Sequence, residues 1–292
     1  MTALPAARDL AELVRLPAAL SVPGDAWSGA AWATTSPGRG DAVTPLGSVL
    51  LYWSGMALND WADRKVDAVE RPERVIPSGR VTPAAALVVA GLLGAAGVAV
   101  TAVAGGHRAL RFSVPLALLI VTYDVAAKDS PAGPLVMAST RGLDVLLGGA
   151  AAPGQAGAPA AAVAVHTAGV TLLSRGEVHG TSPLTAVAAL TATGTAIGVL
   201  VSTMARDEVP LGHRRLALGF AALYGAAVGV PQARAVATPD ATRARAATGA
   251  GIGGLTLLQA AWLAARGRVV PALVVATAGP LLRRAARAVS PT

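Results

Sequence analysis

The windows 84–104 and 184–205 each run for 21 or 22 residues without an Asp, Glu, Lys or Arg. At about 1.5 Å per residue, a helix of that length crosses roughly 30 Å of hydrocarbon. Further apolar segments fall at 16–34, 44–60, 109–127, 133–152, 159–174, 214–232, 246–265 and 269–285, with the first window extending over 82–104. The first, sixth and last are short or interrupted, so the pattern predicts nine or ten transmembrane helices. Composition agrees: 53% hydrophobic, 14% charged and a mean hydropathy of +0.56 do not describe a soluble globule. The expectation is an all-α, multi-pass integral membrane protein, one polytopic domain over 1–292.

The apolar residues are mostly Ala, Val, Leu and Gly, and small residues let helices approach closely in lipid. There is no cysteine, which excludes disulfides, thiolate nucleophiles and thiolate metal sites. The start carries Arg8, Asp9, Glu12 and Arg15, and Pro23, Asp25 and Trp27 interrupt the first apolar segment, so no signal peptide is read there. Turns are expected at 37–41, 105–108 and 153–159, and Thr82-Pro83 reads as an N-cap followed by Pro at the first helical position. The net charge of +8 occurs as short clusters between apolar runs, a topology signal and no sign of nucleic-acid binding. Threading the spans alternately places Arg39, Arg108, Arg111, Arg206, Arg214, Arg215, Arg266 and Arg268 on one side. That leaves 16 of the 24 Lys and Arg on the other, including the Arg283, Arg284 and Arg287 tail. The excess predicts that this second side faces the cytoplasm.

The remaining charge is concentrated in one place. Residues 59–79 hold five of the 16 carboxylates and four of the 24 cations. Asn59, Asp63 and Asp67 recur every four residues, which stacks three oxygen donors on one helical face. Such a face suits a hard cation such as Mg²⁺. It is not an EF-hand, which needs its ligands in a loop. Pro72 stops the helix, and Pro77-Ser78-Gly79-Arg80 makes a turn. Carboxylates beside the arginines at 71 and 74 can hold a diphosphate from two sides, metal on one and guanidinium on the other. The bare alternative is a solvated helix end with ordinary Asp–Arg pairs.

The run Asn59-Asp60-x2-Asp63-x3-Asp67, continuing to Arg71-Pro72-x-Arg74-x2-Pro77-Ser78-Gly79, resembles the first Asp-rich signature of the UbiA superfamily of intramembrane prenyltransferases. Tyr123 to Lys128 resembles that family's Tyr and Lys at the end of the fourth span. The segments 128–148 and 169–177 are most similar to its EboC-like branch. The resemblance covers roughly 10–285 and implies a helical bundle around a central cavity, Mg²⁺ as cofactor, and an isoprenyl diphosphate donor entering from the lipid bilayer. It implies metal and diphosphate roles for Asn59, Asp63 and Asp67. Arg71, Arg74, Lys128 and Arg141 become candidate diphosphate cations, and Tyr123 a wall that shields the allylic cation. Asp63, Asp67, Lys128 and Tyr123 are the candidate catalytic set.

The sixth span departs from the family pattern. Where relatives carry a second acidic motif, this chain reads Arg175-Gly176-Glu177-Val178-His179-Gly180. Glu177 is therefore the candidate second metal ligand, with Asp124 or Asp129 as substitutes and Arg175 supplying positive charge. Lys128 has a simpler reading as the i,i+4 partner of Asp124, and Arg141 as the partner of Asp144 within an apolar run. The expected activity is Mg²⁺-dependent prenyl transfer to a small, polar molecular acceptor. The alternatives are a phosphoribosyl-type transferase acting on polyprenyl phosphate, or a transporter or assembly partner without chemistry.

Overall fold

The computed structural model describes residues 6–34 and 38–289, with side chains at 17, 18, 39 and beyond 281 outside that set. The arginines at 283, 284 and 287, and the first residue of the expected 37–41 turn, lie outside the described residues. Within them there are helices and no strands. Helix α1 (Ala7–Leu13) leads into a 3-10 segment (Leu16–Ser21) and α2 (Pro23–Ala33). The expected first span is thus split, with Pro23 opening the second piece, where its missing N–H costs nothing. Helix α3 (Arg39–Glu70) follows, begun by an Asp41 carboxylate that accepts the Gly38 N–H at 3.0 Å.

Helix α4 (Pro83–Thr122) starts as expected: the Thr82 hydroxyl accepts the Ala85 N–H at 3.2 Å and Pro83 takes the first position. It contains the third and fourth expected spans, separated at Gly106, whose φ of 59° and ψ of −147° break the helix at the anticipated turn. A π turn (Tyr123–Ala127) ends it. Then come α5 (Gly133–Gly148), α6 (Gly157–Ser174), α7 (Pro183–Arg206), α8 (Leu211–Tyr224), a second π turn (Gly225–Gly229), α9 (Val230–Ala237), α10 (Ala241–Ala265) and α11 (Val269–Val289). Four stretches among the described residues are long and apolar enough to span on their own: Pro83–Ala127, Gly157–Ser174, Pro183–Arg206 and Leu211–Ala237. The other helices are shorter or carry more polar residues, because they face protein as well as lipid.

Sequence neighbours pack side by side: α3 on α4, α4 on α5, α5 on α6 and α6 on α7. Helix α10 touches α2, α6, α8, α9 and α11, while α11 returns to the 3-10 segment and closes the ring. Consequently α10 is buried along its second half, from Gly253 to Ala265 almost without interruption. Trp262 is its anchor. Its backbone oxygen accepts the Trp32 indole N–H at 3.1 Å, and the two rings meet edge to face at 5.2 Å. His166 ties three helices by bonding the Tyr224 hydroxyl at 2.7 Å and the Gly251 carbonyl at 3.2 Å. Leu92 and Val103 on α4 and Leu184 on α7 instead point outward and are exposed. In an aqueous protein that would be a liability; here it is the lipid-facing surface.

Helices α2 and α5 approach most closely through glycine. A Cβ on Gly148 would fall 1.9 Å from the Ala26 carbonyl oxygen, and one on Gly29 would fall 1.8 Å from that of Val145. This crossing also ends α5 at Gly148, four residues short of the expected 152. The payoff is positional: Asp25 of α2 is brought against Arg141 of α5.

Candidate active site

Helix α3 continues ten residues past its apolar run, as the 59/63/67 spacing and Pro72 predict, and every carboxylate of its last turns except Glu70 finds a cation. Asp67 accepts from Arg74 Nη1 at 2.7 Å. Asp60, 94% buried, sits between Arg15 Nη2 at 2.8 Å and Arg74 Nη1 at 3.3 Å. Asp63 pairs with Lys128. The helix then stops at Glu70, since Pro72 holds the preceding Arg71 out of helical geometry, at φ −145°.

The following loop is pinned on both sides. Val75, Ile76 and Val81 are buried with Leu13 and Leu58. Arg80 donates to Asp9 at 2.7 Å and to both oxygens of Glu12 at 2.7 and 2.8 Å, stapling the loop to α1. Those hydrogen bonds hold the Glu12 carboxyl below its ordinary 4.5.

Across from α3, the π turn brings a second set of groups. In an α-helix Lys128 would trail Tyr123 by about 140° around the axis. Here the Lys128 N–H bonds the Tyr123 carbonyl, five residues back, at 2.9 Å, so one wide turn returns Lys128 toward the Tyr123 face. Two rungs result between the elements. Asn59 Nδ2 donates to Asp124 Oδ1 at 3.3 Å, and Lys128 donates to Asp63 one turn further along. The simple Asp124–Lys128 pair is not formed. Arg175, from the end of α6, donates to the carbonyl oxygens of Lys128 (3.4 Å) and Ser130, so it braces this loop with its guanidinium.

A cavity of about 270 Å³ opens behind the rungs. Its polar end carries Arg15, Asn59, Tyr123 and Asp124; its middle is walled by Leu51, Met56, Leu116, Ile120 and Met137; its far end carries Ser48, Thr140, Arg141 and Asp144. Ser48 and Asn59 both lie on α3, so the cavity runs about 16 Å along that helix. The Arg141–Asp144 pair expected from their spacing is replaced. Arg141 pairs with the fully buried Asp25 at 2.8 Å, and Asp144 accepts from the Ser48 hydroxyl. Gln259 completes the group by donating to Asp25 at 2.6 Å.

Of the sequence candidates, Asn59, Tyr123 and Arg141 line the cavity, and Asp63, Asp67, Arg74 and Lys128 stand beside its mouth in ion pairs. Arg71 is exposed and makes no ion pair among the described residues. Glu177 does not line the cavity; its backbone oxygen accepts from Arg245 at 2.9 Å in the loop after α6. Sequence reasoning does not single out Arg15, Asp60 or Asp25 as site residues. Asp25 was visible as an acid inside an apolar segment, the usual mark of a buried functional or paired charge. Among the described residues no three His, Cys, Asp or Glu side chains stand close enough to enclose a metal as arranged. The donors at the mouth are all oxygen, which suits Mg²⁺ better than softer metals.

The model of the UbiA prenyltransferase family matches residues 24–248. This chain belongs to that family. As in other UbiA proteins, the fold is an all-helical integral membrane one. The chain is 35% identical over 105 residues to a digeranylgeranylglyceryl phosphate synthase of Methanothrix thermoacetophila, covering 36% of this chain and 39% of that protein. It is 33% identical over 149 residues to the synthase of the same name from Natronomonas pharaonis, covering 50% and 53%. The alignments thus span about two fifths to a half of these relatives' length. Among solved structures, a UbiA homologue from Aeropyrum pernix K1 superposes with a TM-score of 0.65 at 18% identity, covering 84% of this chain and 96% of that one. A UbiA homologue from Archaeoglobus fulgidus bound to GPP and Mg²⁺ superposes at 0.51 and 12% identity, covering 90% and 99%. At such identities the superpositions establish the UbiA fold alone.

Proposed function

We propose that this UbiA-family chain transfers an isoprenyl group from an isoprenyl diphosphate to a small polar acceptor, with Mg²⁺ as cofactor. The observation that carries the reading is the pair of rungs at the cavity mouth, where α3 carboxylates and a lysine from the π turn meet above an apolar chamber. Asn59, Asp63 and Asp67 would hold the metal, which when bound neutralises diphosphate oxygens and so favours departure of the leaving group. Lys128 and Arg74 exchange their carboxylate partners for diphosphate oxygens, and Arg71 approaches from the exposed rim. The C1–O bond of the donor breaks with its electron pair leaving on the diphosphate. The acceptor nucleophile then forms the new bond to C1 and gives up its proton to the released diphosphate. Tyr123 and the Leu/Ile/Met walls keep water from the allylic cation, and the tyrosine ring face stabilises it.

The Archaeoglobus homologue with GPP and Mg²⁺ supports the donor class, and the relatives' name, digeranylgeranylglyceryl phosphate synthase, supports prenyl transfer. The excess of Lys and Arg on the side of the Asp-rich end supports a cytoplasmic orientation for it.

The test is direct. Detergent-purified protein given radiolabelled geranyl and longer diphosphates with Mg²⁺ consumes donor, and Asp63→Ala removes this activity by at least about a hundredfold. Equal donor binding by both proteins with turnover by neither would sink the proposal.

A further inference from the structure

The second acidic motif is reduced to Glu177, and that residue stands away from the cavity. A different carboxylate, that of Asp124, does line it. Asp124 is 95% buried, lines the polar end of the cavity, and makes no ion pair among the described residues. Its one side-chain hydrogen bond among those residues is the 3.3 Å contact from Asn59 to Oδ1. The other oxygen, Oδ2, faces Gly55 of α3, where even an added Cβ would stand 3.8 Å away. The nearest cations are committed elsewhere, Lys128 to Asp63 and Arg15 to Asp60. A buried carboxylate without a counter-charge is costly, and proteins keep one where a cation comes to it.

From this geometry we propose that Asp124 is the second carboxylate arm of the cation site. It would grip the ion from the π turn, opposite Asn59 and Asp63, and replace the acidic motif absent after α6. The assignment rests on the prenyl-transfer reading and specifies which side chains close its metal site. It also gives the π turn a function, since the wide turn presents Asp124 and Lys128 to α3 together.

The test is Mn²⁺ titration of the full-length protein in detergent, alone and with a non-transferable geranyl thiolodiphosphate, with the free ion read by EPR. Wild type holds Mn²⁺, Asp124→Asn weakens it about tenfold or more, and Asp124→Glu retains most of it. Because Asn removes an uncompensated buried charge, metal-free Asp124→Asn melts no lower than wild type. Wild-type affinity in Asp124→Asn, alongside a loss in Asp63→Asn, overturns the assignment but leaves the metal-dependent reading standing. A loss in Glu177→Gln with Asp124→Asn unaffected overturns it in favour of the loop after α6. Reduced metal-free stability in Asp124→Asn, together with lost Mn²⁺ binding in Asp124→Glu, makes the residue a brace and also overturns it. No Mn²⁺ binding by wild type under either condition removes the parent metal reading and this one with it.

Discussion

Arg74 stands between two buried carboxylates, Asp60 and Asp67, whose side chains are 7% and 4% exposed. Removing one cation therefore strands two anions, although Arg15 still reaches Asp60. Arg74→Ala is expected to cost about 3 kcal/mol, read as a fall in melting temperature in detergent, whereas Arg71→Ala at the exposed rim leaves it unchanged. Glu12 gives a titratable check on the staple to α1. Its folded carboxyl lies below the ordinary 4.5, so the contribution is fully present above that value and disappears as pH falls through the lowered one. Its side chain is one-third exposed, so the effect is small. Glu12→Gln is expected to flatten the melting-temperature profile below about pH 4.5, the ordinary value, while leaving the neutral-pH value nearly unchanged. That Asn59, Asp63 and Asp67 share a helix was legible because four-residue spacing fixes direction on it. The partners were not. Asp63 is nearer in sequence to Arg64 and Lys65 than to Lys128, and only the folded contact between α3 and the π turn selects the last.

Glycine separates helices that touch protein from helices that touch lipid. Gly148→Ala drives a methyl into the Ala26 carbonyl at 1.9 Å, with backbone on both sides, so α2 and α5 must part. Gly194 lies in α7, where an added methyl would meet nothing within 4 Å, and Ala there gains helix propensity of up to about 1 kcal/mol. The expected result is aggregation or a large loss of melting temperature for Gly148→Ala and a small gain for Gly194→Ala. The existence and order of most elements could be read from apolar runs, and the Thr82–Pro83 start and the Gly106 break came directly from local chemistry. Ends governed by packing could not be read. Helix α5 stops early where it crosses α2, and both π turns escape any search for a 3.6-residue period.

At the scale of the whole molecule the charge asymmetry makes a topological prediction that the cysteine-free background makes simple to test. Ser78→Cys, in the loop after the Asp-rich helix, is expected to react with a membrane-impermeant maleimide only after cells are opened. Asp207→Cys, between α7 and α8, is expected to react from outside; the reverse pattern refutes the orientation. The cavity itself was legible only as a consequence of family resemblance, because its walls are assembled from α3, α4, α5 and the π turn, while Asp25 of α2 and Gln259 of α10 hold Arg141 from behind. Asp25 shows what that assembly demands of the ribosome. It is made before both of its partners, since Gln259 is 234 residues later and Arg141 belongs to the third helix after its own. Until α5 is made, α2 carries an acid with neither companion in the bilayer. It must wait at the interface, or borrow lipid headgroups and water, until later helices arrive to receive it. Helix α2 thus settles only after helices made later than itself.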